Sequence, residues 1–304
     1  MFLVLILGPT GIGKTSLSIF LAKKLKTQIL SCDSRQFFKE LKIGTSMPNL
    51  KDRKSIPHHF IGHLSIHDNY NARLFEIDSL KKMQKLFLIH PILIMVGGSG
   101  LYEKSVTEGL SEIPKIDVNI RNDLIFNFKK KGISFLKEEL NKIEKKNIPL
   151  IDLNNPRRLI RFLEIIKSTG KPPHVFFKKK RRNFSIIKIG LTLPRDELYS
   201  KINTRVEKMI KMGLFEEAKT YYIFRHLNSL QTIGYKDIFD FLSKKKYSSS
   251  FVDVIENIKK NTRRYAKRQI CWYKKDFSIT WFHPKNREEI FSFILRKTNG
   301  QYWI

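Results

Sequence analysis

Eight residues near the amino end, Gly8-Pro9-Thr10-Gly11-Ile12-Gly13-Lys14-Thr15, carry types and spacing suited to holding a phosphorylated ligand. They follow an apolar run, Phe2 to Leu7, and precede helical apolar spacing at Leu17, Phe20, Leu21 and Leu25. Strand, glycine loop and helix in that order are what a phosphate-binding loop needs. The glycines let backbone N–H groups turn toward one anion, and the new helix adds its positive dipole end. Lys14 can reach a terminal phosphate oxygen, and the Thr15 hydroxyl suits a Mg²⁺ ion. The bland alternative is an ordinary strand–helix turn. The loop predicts a phosphorylated ligand and leaves open whether that ligand is a nucleotide.

A second short strand, 27–32, delivers Asp33-Ser34-Arg35-Gln36 at its carboxyl end, where parallel sheets place ligand-contacting residues. Asp33 is a candidate general base, a metal-water ligand or a turn former. Ile43-Gly44-Thr45-Ser46-Met47-Pro48 reads as a loop. Pro57-His58-His59, with His63 and His67, is a histidine cluster lacking an acid or cysteine at metal-ligand spacing. A polar loop, or a contact to RNA or phosphate, suits it better than a metal site. Pro91 to Val96 is continuously apolar, as a buried parallel strand should be, and ends in Gly97-Gly98-Ser99-Gly100-Leu101-Tyr102. The strand that holds the metal of a nucleoside triphosphate would end in an acid. Glycines and Ser99 there argue against an ordinary ATPase and predict a close approach by another backbone or a ligand.

The elements that position these residues alternate strand and helix. Apolar spacing predicts helices over Tyr70 to Lys85 and Asp196 to Met212, the latter carrying Arg205, and Ile186 to Leu193 returns to strand character. Residues 113–182 lack a strand signal, and charged helical stretches run over Asn119 to Lys131, Ser134 to Lys146 and Pro156 to Ser168. In the last, Asn155 is a candidate cap, Pro156 a first helical residue, and Arg158 and Arg161 share a face away from the apolar stripe. Lys178 to Arg182 is a basic run, either a solvated loop or a phosphate contact. The Lys244-Lys245-Lys246 stretch through Ser250 reads as a surface loop. Lys259 to Lys275 holds Lys259, Lys260, Arg263, Arg264, Lys267, Arg268, Lys274 and Lys275 with no acid among them. Tyr265, Gln269 and Trp272 fall on one helical face there. Such interleaving suits a nucleic-acid backbone and unstacked bases; a solvated basic helix with core aromatics is the other reading. The fold class expected is α/β: a P-loop NTPase-like parallel sheet flanked by helices, with an inserted all-helical subdomain. The core would span 1–112 and 183–304, and the insertion 113–182.

Composition sets bounds. The chain has 304 residues, 41% hydrophobic, a net charge of +30 and an isoelectric point near 10.1. That charge favours a polyanionic partner, although lysine-rich codon bias accounts for part of it. Apolar runs such as Ile92 to Val96 are too short to span a bilayer, and the first residues lack a basic leader region. Cys32 and Cys271 supply neither a disulfide framework nor a zinc pattern, so a reducing cytoplasm is expected. No membrane partner is expected, and a monomer is the default.

These motifs together resemble the bacterial tRNA dimethylallyltransferases. The resemblance rests on Gly8 to Thr15, Asp33 to Gln36, Ile43-Gly44-Thr45, Pro57-His58-His59, Gly97 to Tyr102, Asn155 to Glu164 with Thr169-Gly170-Lys171-Pro172, Arg205, Ile233-Gly234-Tyr235-Lys236 and Arg263 to Gln269 with Trp272. They run in order over nearly the full length. Ser99 stands where the family usually has threonine, and Phe60-Ile61-Gly62-His63 replaces a more common Leu-Ile-Asp. The resemblance implies transfer of a dimethylallyl group from its diphosphate to N6 of the adenosine on the 3′ side of the anticodon, in tRNAs reading codons that begin with U. It implies that Gly8 to Thr15 bind the diphosphate with Mg²⁺ on Thr15. Asp33, Arg205, Lys14 and Ser99 would be catalytic. Contacts to tRNA would come from Asp33, Ser34, Arg35, Gln36, Arg158, Arg161, Arg263, Arg264, Lys267, Arg268 and Gln269. The rivals are a P-loop nucleotide or small-molecule kinase, which shares the opening loop, and a non-catalytic RNA-binding protein.

Overall fold

The four expected strands form β1 (Phe2–Leu7), β2 (Ile29–Ser31), β4 (Ile92–Val96) and β5 (Ser185–Leu191), flanked by two further short strands, β3 (His58–His59) and β6 (Ile279–Phe282). The structure, a computed structural model, describes residues 1–114, 116–143, 152–243 and 250–299. All pairings are parallel, in the order β3-β2-β4-β1-β5-β6. β1 sits between β4 and β5, with Phe2 opposite Ile92 on one side and Ser185 on the other. Leu3, Leu5 and Leu7 pack in one layer with Leu93, Met95, Phe37 and Phe75, while Val4 and Ile6 pack in the other with Ile94, Ile189, Leu17 and Leu21. Both faces are covered, which is why β1 reads as an unbroken apolar run. The chain leaves β1 for β2, β3 and β4 on one side and later fills β5 and β6 on the other. The crevice beyond the carboxyl end of β1 is therefore a switch point, the place where open α/β sheets bind ligands.

The helices that matter for that crevice are α1 (Lys14–Lys24), α2 (Leu50–Ser55), α3 (Ala72–Leu86), α4 (Gly100–Thr107), α7 (Arg195–Lys211), α8 (Leu214–Thr220), α9 (Tyr235–Leu242), α10 (Phe251–Tyr273) and α11 (Arg287–Lys297). α10 begins well before the basic segment, capped by the Ser250 hydroxyl, which accepts from the Asp253 N–H. The Lys244 to Ser249 part of the expected surface loop lies outside the described residues. β3 corrects the reading of His58 and His59 as loop residues, since both lie in the sheet.

The chain divides into two compact units, one of Met1–Thr107 with Arg182–Ile304 and one of Glu108–Arg181. In the second, α5 (Val118–Asn141) breaks at Gly132, whose φ of 74° and ψ of −164° are not helical. The expected Asn119 and Ser134 helices are thus two arms of one segment, and 144–151 lie outside the described residues. α6 (Pro156–Thr169) starts where Asn155 accepts from the Arg158 N–H, and ends at Gly170 with φ 68°. Leu124 and Leu136 of α5 bury against Leu159, Phe162 and Leu163 of α6. The buried Glu164 carboxylate joins the two helices, holding Arg121 at 2.8 Å and Arg161 as well. Of the basic run, Arg182 is structural: its guanidinium donates to Glu76 Oε1 at 2.9 Å and to the Val106 carbonyl at 2.7 Å.

Candidate active site

The glycine loop leaves β1 and turns into α1 at Gly13, whose φ of 101° a side chain rarely adopts. α7 packs on the loop through Ile202, whose Cγ1 would lie 3.2 Å from a Cβ on Gly11. Ile202 and Val206 are buried, and Arg205 between them points its charge into a cavity of about 530 Å³. Thr10, Asp33 and Arg35 line the same cavity, with Gly44 and Thr45 of the following loop. Tyr265 and Arg268 of α10, with Lys236, Asp237 and Asp240 of α9, add to its polar wall. Asp33 and Lys14 also share a smaller neighbouring cavity, so Asp33 stands between the two.

Charge is concentrated here. Burial pushes the Lys14 ammonium down to about 8; Asp33 pulls the other way, and Arg205 adds to the depression. Lys14 is parked on the loop, donating to the Gly8 carbonyl at 2.9 Å and the Pro9 carbonyl at 2.8 Å. The Arg205 guanidinium is likewise lowered by burial, opposed by Asp33. Two cations and one carboxylate thus share a poorly hydrated corner beside the loop amides, an arrangement that favours a multivalent anion. One Asp33 oxygen accepts from the Arg35 N–H at 3.0 Å, a local turn that fixes the carboxylate. Burial, with the Asp33 charge, pushes the Tyr265 hydroxyl up to about 12, and the Ser99 side chain beside it pulls the other way. The Ser99 hydroxyl also lies 3.1 Å from both the Ser34 N–H nitrogen and the Ser34 hydroxyl.

Several residues expected to contact RNA also bond within the protein. Gln269 is buried: its Oε1 accepts from the Thr10 N–H at 2.9 Å, and its Nε2 donates to the Gly98 carbonyl at 2.8 Å. Gln36 Nε2 donates to the carbonyls of Thr45 and Ser46, both at 3.2 Å. Inside the protein these amides fix the glycine loop and the segment after β2. Arg35 reaches the Asn228 carbonyl at 2.8 Å. Arg263 donates to Asn203 Oδ1 at 2.7 Å and lies over the Tyr199 ring. Arg161 pairs with Glu164 and, like Arg158, Arg264, Lys267 and Arg268, is exposed. The close approach expected at the end of β4 is made by α10. A Cβ on Gly98 would collide with Gln269 Nε2, and one on Gly100 with Trp272 Nε1. Gly100→Ala should therefore push the indole aside and cost about 1–3 kcal/mol, read as a melting point several degrees lower. An unchanged melting point would show that α10 has slack at this contact.

Sequence reasoning missed Glu217 of α8. Its carboxylate accepts from the N–H groups of Lys42, Ile43 and Gly44, each at 3.0 Å, and from the Tyr235 hydroxyl. That clamp fixes the cavity wall at Gly44, where the Tyr235 ring leaves no room for a Cβ. Nothing local marks Glu217; only the paired motifs at 43–45 and 233–236 hint that something joins them. Thr232, Asn261 and Thr262 also line the cavity and were not singled out.

The IPP transferase family profile matches residues 36–276. A tRNA dimethylallyltransferase of Christiangramia forsetii is 47% identical over 301 residues, 98% of this chain and 99% of that protein. The full-length tRNA isopentenylpyrophosphate transferase of Bacillus halodurans superposes with a TM-score of 0.72 at 34% identity, covering 98% of this chain and 97% of that one. A eukaryotic dimethylallyltransferase captured acting on tRNA gives a TM-score of 0.74 at 27% identity over 93% of this chain and 74% of its own. With the family profile matched over most of the chain and 47% identity to such an enzyme along nearly its whole length, the chain belongs to the IPP transferase family of tRNA-modifying prenyltransferases.

Proposed function

We propose that this chain transfers the dimethylallyl group of dimethylallyl diphosphate to N6 of the adenosine 3′-adjacent to the anticodon, in tRNAs reading codons that begin with U. The observation that carries the reading is the convergence of Asp33, Arg205 and the glycine loop on one cavity. The N6 lone pair, delocalised into the purine, is a poor nucleophile. As N6 bonds to C1 of the allyl group, the C1–O bond breaks and its electrons leave with the diphosphate. Asp33 takes the proton that N6 sheds. Arg205, Lys14 and the loop amides meet the negative charge gathering on the leaving group. The adenosine leaves its stack to enter the cavity, where Tyr265 offers a ring face and Ser99 a hydroxyl. No nucleotide is consumed.

The donor set at the loop fits a Mg²⁺ ion, which Thr15 would hold. The Thr15 hydroxyl lines the small cavity beside Lys14 and Asp33 and is a hard oxygen donor of the kind Mg²⁺ takes; among the described residues no cluster of three His, Cys, Asp or Glu would hold a cation unaided. When bound, the ion would add charge neutralisation of the diphosphate. Among the described residues no helix is long and apolar enough to cross a membrane.

Incubation with unmodified tRNA, dimethylallyl diphosphate and Mg²⁺ should yield isopentenyladenosine on digestion. Phosphate transfer from ATP instead would indicate a kinase, and RNA binding without product a non-catalytic protein. Arg264 and Lys267, exposed on α10, suit phosphate contacts. Replacing both with Gln should lower the salt slope of tRNA binding by roughly 1 for each phosphate no longer neutralised; an unaltered slope assigns them to solvent. Lys14 binds the diphosphate in its charged form, and its ammonium is held at about 8. Phosphoryl groups, with a second pKa of about 6, are ionised by then. Diphosphate affinity should therefore fall as pH rises through that value, and Lys14→Arg should flatten the fall. A parent profile flat up to pH about 9.5 would contradict it.

A further inference from the structure

A second cavity, of about 30 Å³, is lined by Lys14, Thr15, Asp33, Gln36, His58 and Gly97. That is room for one or two water-sized groups. One wall is a side chain that the chemistry above does not use. His58 lies on β3, set beside β2 by the pairing of Ile29 with His58 and Leu30 with His59. Its Nδ1 is 2.7 Å from the Ile56 carbonyl, which can only accept, so Nδ1 carries the proton and Nε2 keeps a lone pair. That Nε2 is shut off from bulk water and has no hydrogen-bond partner among the described residues. An unpaired buried acceptor costs about 1–3 kcal/mol, a cost relieved when a donor binds beside it. Its neighbour across the cavity, Thr15, carries the hydroxyl assigned above to the cation.

We propose that His58 Nε2 anchors the hydration shell of the diphosphate-bound cation, accepting a hydrogen bond from a shell water while Thr15 ligates the ion directly. This rests on reading the glycine loop as the diphosphate site. Mg²⁺ gives up water reluctantly and is usually held by few protein ligands plus phosphate oxygens. A site for it gains more from an acceptor one water away than from another direct ligand. His58 is suited to that by its locked tautomer, and loss of such an outer partner costs about 10–100-fold in metal affinity.

The probe is Mn²⁺, titrated into the full chain at saturating inorganic diphosphate and followed by electron paramagnetic resonance. His58→Leu should weaken Mn²⁺ binding about 10–100-fold and leave metal-free diphosphate affinity unchanged. His58→Gln, which returns an acceptor to the same reach, should recover most of the loss. Mn²⁺ affinity unchanged in His58→Leu overturns the assignment, as does an equal loss of metal-free diphosphate affinity, or no recovery in His58→Gln. Nitrogen NMR of the ¹⁵N-histidine-labelled parent needs no variant. The His58 Nε2 resonance should move upfield when Mg²⁺ joins the diphosphate complex; no movement overturns the proposal. A parent that binds neither diphosphate nor Mn²⁺ overturns the loop reading together with this one. A parent that binds both, matched by His58→Leu, overturns this one alone.

Discussion

Asp33→Asn should lower kcat by about 10²–10⁴-fold, the range a positioned general base supplies, and leave tRNA affinity nearly unchanged. Asparagine keeps the oxygen that accepts from the Arg35 N–H, so the turn at the end of β2 survives. What it removes is the acceptor for the N6 proton. Arg35 would stay on the Asn228 carbonyl, so the cavity wall keeps its shape. Single-turnover measurement of the chemical step at saturating tRNA checks this. A rate within the parent's range would remove Asp33 as the base, although Asp33 is the carboxylate whose charge both Lys14 and Arg205 feel.

The second large effect belongs to Arg205. Its guanidinium sits on α7 between two buried residues, Ile202 and Val206, and faces the cavity with Asp33. Arg205→Met retains an apolar stem for packing and removes the charge. The loss should be about 10²–10³-fold in kcat, as for removal of one preorganised donor from a developing anion. The KM for dimethylallyl diphosphate should rise as well, because the ground-state ligand already carries negative charge. If KM and kcat both stay at parental values, the arginine plays no part in holding or expelling the diphosphate.

Much of this arrangement was readable from residue order. Apolar runs ending in glycine predicted β1 and β4, because central parallel strands bury both faces and leave no alternation to confuse them, and weaker strand character predicted β2 and β5. The glycine loop and Asp33 were legible for a related reason: strand ends beside a switch point are where ligands meet the chain. The edge strands were not. β3 has two residues and β6 four, and each is defined by a neighbour far along the chain, Ile29 for one and Lys188 for the other. The roles of Gln269, Glu217 and Arg263 were hidden likewise. Each is set by a partner far away in sequence, as when Gln269 bonds Thr10 across 259 residues. A basic, aromatic helix looks like an RNA surface from composition alone. Here one of its faces is the clamp that holds the loop, and another carries exposed cations. Glycines 98 and 100 showed that something comes close without showing what; Gln269 and Trp272 are what comes close.

Everything above turns on the glycine loop as a seat for a prenyl diphosphate rather than a nucleotide. Calorimetric titration with a non-transferable allylic diphosphate in Mg²⁺, with and without saturating ATP, addresses it most directly. One-to-one binding that ATP does not displace is the predicted result. Displacement by ATP, or no heat from the allylic compound where ATP binds, would contradict it.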